Sequence, residues 1–238
     1  MTVSDLIAVV ERSPEATAAH DKAAWVGLFT PDGRVEDPVG SRPHVGHAQI
    51  GRFYDTFIGP RQVTFHRDFD VVHGTTVVRD LTLEVMMGSR VKMMIPIFMR
   101  YDLREVGRAG SENDWQITRL RAYWELPAMV AQFLRSGAGA IPASLQLSAA
   151  LVRNQRIAGT AGFVSGFRGV GRRGKRLVAD ALAAGQLGDV RPRDKIVASG
   201  SAVAAAVTTP SGRGVLFAEL DGGKIADVTV FDSSTGQA

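Results

Sequence analysis

The residues best suited to chemistry lie in the string RVEDPVGSRPHVG, residues 34–46, where Asp37 stands directly before Pro38. Proline lacks an amide hydrogen and has a fixed φ, so the chain leaves a strand at a set angle after this carboxylate. If the carboxylate faces an apolar cavity, burial favours its neutral form and makes it a stronger base than a solvated aspartate. The turn alone favours an aspartate that hydrogen-bonds its own backbone. A proton acceptor is the alternative interpretation of Asp37.

Two histidines, His44 and His47, follow the same turn. A metal site needs several converging ligands, and few acids lie near these histidines. The chain has no cysteine, which also excludes thiolate ligands and thiol nucleophiles. We therefore expect no metal and regard both residues as solvated loop histidines. A dyad of Asp37 with one of them is the alternative.

A second feature is a run of apolar residues that is rich in methionine, between positions 86 and 99. Methionine side chains are flexible and polarizable, so they adapt to irregular apolar ligands. The run predicts either one wall of a hydrophobic pocket or ordinary core. The residues that we expect to contact a ligand, in this run and elsewhere, include Phe29, Met94, Ile97 and Met99.

The spacing of apolar residues predicts the elements that would position these side chains. The predicted helices cover residues 4–12, 15–29 and 46–58. A short strand at 33–37 ends before Pro38, and four longer strands follow at about 62–70, 73–87, 90–103 and 114–125. Helices followed by a meander of long strands indicate an α+β fold in which one curved sheet wraps around helices.

The string VEDPVG, with Pro43 and Gly46 after it and AYW at residues 122–124, resembles the ketosteroid isomerases. The resemblance covers about residues 3–126 and implies the conical curved-sheet barrel shared with nuclear transport factor two. It also implies a reaction in which an aspartate takes a proton beside a ketone and returns it two carbons away. Asp37 matches that base. Tyr54 matches a tyrosine that supports the hydrogen bonds around the enolate oxygen, and Trp124 matches a tryptophan lining the pocket.

Two positions depart from the pattern that the resemblance implies. Ser13 stands where the family has its principal oxyanion tyrosine, and Ile97 stands where it has a protonated aspartic acid. Loss of one oxyanion donor typically lowers a rate by about 10²–10³. Two functions therefore stay open for this half of the chain. One is a steroid delta-isomerase-like enzyme without a cofactor, and the other is a non-catalytic binder of a steroid-like or other apolar small molecule.

The second half of the chain has a different composition. Residues 1–128 carry a net charge of −2 and contain every histidine, tryptophan and tyrosine, whereas residues 129–238 carry +6. The small residues of SGAGAIPASLQ, residues 136–146, are typical of a linker. We predict a domain at 1–128, a linker at 129–144 and a second α+β unit at 145–238.

The order of elements in this second unit repeats the first in shortened form. Helices are predicted at 128–135, 146–158 and 172–186, and strands at 195–208, 212–220 and 224–232. The pattern indicates a truncated unit of the same type, and an internal duplication is one origin for it. Its sheet is expected to pack on the first domain as a pseudo-dimer within one chain, with a homodimer as the alternative.

Eight basic residues crowd into segment 168–195. They indicate either a solvated helix face or a surface for an acidic partner, which gives a third candidate function. No tyrosine or tryptophan interleaves with them, which argues against nucleic acid. The GxGxxG match at 169–174 lacks the preceding strand that a dinucleotide site needs. No apolar run is long enough to span a membrane and no secretory signal is visible, so we expect a cytoplasmic protein.

Overall fold

The computed structural model describes residues 2–87, 91–107, 115–135 and 169–232. The helix predicted over 146–158 lies outside these residues. The helices are α1 (Val3–Ala18), α2 (Lys22–Gly27), α3 (Gly46–Phe53), α4 (Leu126–Arg135) and α5 (Gly171–Ala183), with a π-helical turn (Tyr54–Ile58) after α3. The first six strands are β1 (Phe29–Glu36), β2 (His44–Val45), β3 (Gln62–His73), β4 (Thr76–Met87), β5 (Val91–Glu105) and β6 (Trp115–Tyr123). The last four are β7 (Arg191–Ser199), β8 (Ala202–Thr209), β9 (Gly212–Asp221) and β10 (Lys224–Asp232).

The first six strands form one curved sheet in the order β2-β1-β6-β5-β4-β3. All neighbours pair antiparallel except β1 and β6, which run parallel. Helices α1 to α3 contribute apolar side chains to the core on the inner face of this sheet. The predicted α+β fold, with a curved sheet around helices, is confirmed.

The first two helices divide differently from the prediction. Helix α1 continues through Pro14 to Ala18 instead of stopping before it, and α2 is a separate helix of six residues. Proline removes one backbone hydrogen bond, and the burial of Val10 and Ala16 on either side of it favours a continuous helix. This continuity keeps Ser13 and Thr17 on the buried face of α1.

The second sheet has the order β10-β9-β8-β7, and all its strands are antiparallel. The strand predicted at 195–208 is two strands, because Gly200 takes a positive φ of 58° and turns the chain. Nearly every residue of β8 is buried, since the sheet is covered on both faces. Helix α5 covers one face, and the outer face of the first sheet covers the other. That the unit is a degenerate copy of the first stays a prediction.

A partly buried lysine joins the two sheets. The Lys195 ammonium on β7 donates to Asp80 Oδ1 at 2.5 Å, and to the carbonyls of Leu81 and Ile97 at 2.6 and 2.7 Å. Its three donors are therefore satisfied by residues of the first sheet. The predicted linker at 129–144 begins inside α4, which packs on β5. Among the described helices, none is both long and apolar enough to cross a membrane.

Candidate active site

Asp37 and Trp124 meet because they follow neighbouring parallel strands. Asp37 comes directly after β1 and Trp124 directly after β6, and the last residue of β1, Glu36, pairs with Arg121. Parallel strands end at the same edge of a sheet, so the two side chains emerge together. Trp124 Nε1 donates a hydrogen bond of 2.6 Å to Asp37 Oδ1.

The turn after Asp37 is held by its own hydrogen bonds. The Val39 amide donates to the Ala122 carbonyl at 2.8 Å, which returns the chain to β6. The Ser41 hydroxyl donates to the Pro38 carbonyl at 2.6 Å. Because these two hydrogen bonds hold the turn, the carboxylate projects from a fixed backbone rather than from a mobile loop. The peptide between Asp37 and Pro38 is cis.

Burial dominates the electrostatics of Asp37. Desolvation raises the pKa of its carboxyl from 3.8 to about 6, while the hydrogen bond from Trp124 acts in the opposite direction. The carboxylate is thus mostly ionised at neutral pH and still far more basic than a solvated aspartate. A group with these two properties is suited to accept a proton in a reaction and then to return it.

Asp37 lines an apolar cavity of about 130 Å³, roughly ten times the space that one water molecule needs. Its wall combines side chains from α1, the π-helical turn, the inner face of the sheet and α4. The apolar members are Phe53, Phe57, Ile58, Val63, Phe65, Leu83, Val85, Met87, Met93, Ile95, Met99, Leu120 and Met129. The cavity is therefore suited to an apolar small molecule, with Asp37 as a polar group in its wall.

Helix α1 places hydroxyl groups on the same wall. Ser13 Oγ accepts a hydrogen bond of 3.1 Å from Trp25 Nε1, and the Tyr101 hydroxyl donates to Met99 Sδ at 3.4 Å. Thr17, one turn further along the helix, is buried, and its hydroxyl has no hydrogen-bond partner among the described residues. Burial raises the pKa of Tyr101 to about 12, and the charge of Asp37 adds to that increase. Ser13, Thr17 and Tyr101 together are called the hydroxyl corner, and this corner therefore lies within electrostatic reach of Asp37.

The structure brings Asp37, Trp124 and Met99 to the cavity wall, but not the other predicted site residues. Met94 is 40% exposed, because successive strand residues alternate between the two faces and β5 turns Met93 and Ile95 inward instead. Phe29 and Ile97 are fully buried in the core behind the wall. We therefore withdraw Met94 as a candidate for ligand contact.

Tyr54 lies in the aromatic layer beneath the cavity. Its ring is 5.6 Å from that of Trp25, centroid to centroid, and the residue is buried. Its hydroxyl has no hydrogen-bond partner among the described residues, and burial raises its pKa. Tyr54 thus supports Trp25, which in turn donates to Ser13.

The two histidines after the turn have structural partners. His47 Nε2 is 2.8 Å from the Phe29 carbonyl oxygen, and the His44 ring packs 5.1 Å from the ring of Phe53. Burial, assisted by the charges of two arginines, lowers the pKa of His44 to about 4. Among the described residues, the hydrogen-bond partner of the Asp37 side chain is Trp124 and not a histidine, so the alternative dyad is not supported. Within the described ranges no three histidine, aspartate or glutamate side chains cluster as metal ligands do.

The second unit touches this site from behind. The Ser199 hydroxyl donates to the Val39 carbonyl at 2.9 Å, and Gly200 packs directly against Gly40. Glu125, which follows Trp124, accepts hydrogen bonds from the Ala198 amide at 3.2 Å and from the Lys175 ammonium at 2.5 Å. Both backbone segments that carry the Asp37–Trp124 pair are therefore in contact with the second unit.

Comparison with known proteins agrees with this geometry. Residues 10–109 match the SnoaL-like domain family. A steroid Delta-isomerase of Nocardioides simplex is 30% identical over 128 residues, which are 53% of this chain and 95% of that protein. The first half of the chain belongs to this ketosteroid isomerase-like, SnoaL-like family.

Solved structures of similar fold cover the same share of the chain. A Delta 5-3-ketosteroid isomerase from a Mycobacterium species is 27% identical, with a TM-score of 0.45, covering 52% of this chain and 95% of its own. RV0760c from Mycobacterium tuberculosis, solved in complex with estradiol-17beta-hemisuccinate, is 23% identical with a TM-score of 0.43, covering 51% and 95%.

Sequence reasoning missed three residues of the cavity wall that carry hydrogen-bond donors, namely Thr17, Trp25 and Arg61. Thr17 had a signal, since Ser13 and Thr17 are four residues apart and continue the apolar stripe of α1 through Val9. Polar residues inside such a stripe are typical of a site on a helix face. Arg61 follows Pro60 in a short connection, and no periodic pattern identified it.

Proposed function

We propose that this protein is a steroid delta-isomerase-like enzyme that moves a proton beside a ketone and uses Asp37 as its base. The observation that carries this proposal is the carboxylate of Asp37 in an apolar cavity, with its pKa raised to about 6. The 30% identity to a steroid Delta-isomerase supports a steroid-like ketone as the substrate class.

The proposed reaction is a balanced proton shift that needs no cofactor. The Asp37 carboxylate removes a proton from the carbon between the ketone and a β,γ double bond, and the C–H electron pair forms a dienolate. The protonated Asp37 then returns the proton two carbons away, and the conjugated ketone leaves. Trp124 Nε1, bonded to Asp37 Oδ1, leaves the second oxygen of the carboxylate for the substrate.

The negative oxygen of the dienolate needs hydrogen-bond donors. With Ser13 and Ile97 at the two expected donor positions, we propose that the hydroxyl corner of α1 supplies them. Ser13 is hydrogen-bonded to Trp25, and the free hydroxyl of Thr17 lies one helical turn away. Hydroxyl groups are weaker hydrogen-bond donors than a protonated carboxylic acid. We therefore expect this protein to be slower than a ketosteroid isomerase that has both the oxyanion tyrosine and the protonated aspartic acid.

The test is the isomerisation of a β,γ-unsaturated 3-ketosteroid, followed by the absorbance of the conjugated product. Asp37→Asn is expected to lower kcat by at least about 10², because an amide cannot accept the proton. In the wild type, kcat/KM is expected to rise with pH and to level off above about pH 6, where the carboxylate is ionised.

The matched control is Asp32→Asn, which makes the same chemical change at a carboxylate that is 71% exposed on β1. It is expected to retain the wild-type rate. A wild-type rate in Asp37→Asn, or a rate that is independent of pH between 4 and 8, would contradict the assignment of the base.

A second candidate function is a non-catalytic binder of an apolar small molecule. The observation in its favour is Ile97, an apolar residue at one expected donor position that is fully buried. Tight binding of the steroid without turnover would select it. The third candidate, an acidic partner on the basic segment, is weakened because Lys175 and Lys195 already pair with Glu125 and Asp80 of this chain.

A further inference from the structure

Arg61 is a cation in the wall of the cavity without a counter-charge. It precedes β3, is only 9% exposed and lines the same cavity as Asp37. Its Nη1 donates to the Thr56 carbonyl at 2.5 Å, which uses one of the five donors of a guanidinium. Within the described ranges no carboxylate oxygen lies within 4.0 Å of its nitrogens.

The other deeply buried arginine of the described residues, Arg79, does have counter-charges. Arg79 donates to Asp70 at 2.8 Å and to Glu11 at 2.7 Å, so its charge is balanced. The Arg61 guanidinium also lies over the Phe57 ring, 6.0 Å from its centroid, but a ring is not a counter-charge. A buried charge without a counter-charge destabilises a protein, and burial lowers the pKa of Arg61 to about 10. The guanidinium nevertheless stays protonated at neutral pH, with free donors at the cavity wall.

Arg61 and Asp37 lie at separate places in the cavity. Asp37 follows β1 and Arg61 precedes β3, and three strands, β6, β5 and β4, lie between these two in the sheet. Neighbouring strands are about 4.8 Å apart, so the two side chains belong to separate parts of the cavity wall. The rest of the wall is predominantly apolar.

We propose that Arg61 binds a carboxylate at the far end of an elongated apolar ligand whose ketone lies near Asp37. A guanidinium with free donors matches a carboxylate in charge and planar geometry, and pairing would remove the destabilising isolation of Arg61. The ligand class is thus an apolar scaffold with a ketone at one end and an acid at the other. The inference of a ketone rests on the proposed function, whereas the inference of an acid rests on Arg61 alone.

The experiment compares two probes by calorimetric titration on the full chain at pH 7. One is a ketosteroid with its ketone on ring A and a carboxylate on ring D, and the other carries a primary carboxamide in place of the carboxylate. The wild type is expected to bind the carboxylate at least about tenfold more tightly, as charge-assisted hydrogen bonds allow. Arg61→Gln is expected to remove this preference, and Arg61→Lys to keep part of it.

Equal affinity of the wild type for both probes would overturn the proposal, as would a preference that survives in Arg61→Gln. Asp37→Asn separates this proposal from the proposed function, since it is expected to lose isomerisation and to keep the preference for the carboxylate. If neither steroid binds, the steroid scaffold is wrong, and the pair of dodecanoate and dodecanol decides the inference about the acid. Dodecanoate must then bind more tightly to the wild type, and lose that advantage in Arg61→Gln, for the proposal to stand.

Discussion

At the scale of single residues, the basicity of Asp37 comes from two opposing environments. Desolvation in the apolar cavity raises its pKa, and the indole N–H of Trp124 limits the increase to about 6. Without the cavity the carboxylate would be a weak base, and without an N–H donor its ionised form would be harder to maintain at neutral pH. Because the apolar cavity disfavours the charged form, the ionised carboxylate of Asp37 also lowers the free energy of unfolding.

The first consequence is a pH-dependent gain in stability for Asp37→Asn. The folded chain binds the Asp37 proton more tightly than the unfolded chain, whose pKa is near 3.8. The destabilisation is therefore absent below about pH 4 and complete above about pH 6. An upward shift of this size corresponds to about 2–3 kcal/mol at pH 7. We expect Asp37→Asn to raise the free energy of unfolding by up to that amount at pH 7, and urea titrations at pH 4 and pH 7 measure it.

Asp32→Asn is again the control, since its exposed carboxylate is expected to show no such gain. A variant Asp37→Asn that is less stable than the wild type at pH 7 would show that the ionised carboxylate contributes favourable contacts beyond the bond to Trp124. Lost activity with gained stability is the combination expected of a functional residue.

At the scale of elements, the order of helices and strands was predictable because each element has a clear apolar period. The turn after Asp37 was also predictable, since the strand ends before Pro38. The parallel pairing of β1 with β6 was not, because it joins residues more than eighty positions apart. That pairing brings Trp124 to Asp37, so the sequence identified both residues only through the resemblance. No local sequence pattern identified Arg61, because its proposed role depends on the lack of a counter-charge beside it in the folded chain.

Helix α4 completes the cavity by covering a free strand edge. Among the described residues, β5 pairs with β6 only from Phe98 onward, and no strand neighbours this edge of its first half. The Gln132 amide fills part of this gap, since its Nε2 donates to the Met94 carbonyl at 2.9 Å and its Oε1 accepts from the Met94 amide at 3.0 Å. Met129, on the same helix, lines the cavity.

We therefore expect Gln132→Ala to weaken ligand binding without touching the ligand. Loss of two hydrogen bonds frees α4 from β5 at a stability cost of about 1–2 kcal/mol, and Met129 moves with the helix. KM for the ketosteroid is expected to rise several-fold while kcat changes little, as steady-state kinetics would show. Leu134→Ala, at a position that is 69% exposed on the same helix, is the control. An unchanged KM in Gln132→Ala would mean that α4 stays in place through its apolar contacts alone.

At the scale of the whole molecule, the second unit supports the site that the first unit carries. Lys195 joins the two sheets by bonds to Asp80 and two carbonyls, and apolar side chains from both sheets form one cluster between them. The contact reaches the reactive turn itself, since Ser199 donates to the carbonyl of Val39. The second unit has no histidine, tryptophan or tyrosine of its own, but it contacts both segments that carry the Asp37–Trp124 pair.

The last prediction tests this support at Gly200. A Cβ there would lie 2.6 Å from the Cα of Gly40, so Gly200→Ala must displace the turn that follows Asp37. Gly222→Ala is the matched control, because Gly222 has nearly the same φ, 54° against 58°, and no atom within 4 Å of its added Cβ. Both variants incur the left-handed backbone penalty of about 1–2 kcal/mol, but only Gly200→Ala adds the backbone clash. We expect Gly222→Ala to keep kcat and Gly200→Ala to lower it about tenfold or more, because a displacement of about 1 Å at the base weakens catalysis strongly. Equal kcat values in the two variants, measured at a temperature where both are folded, would show that the second unit does not position Asp37.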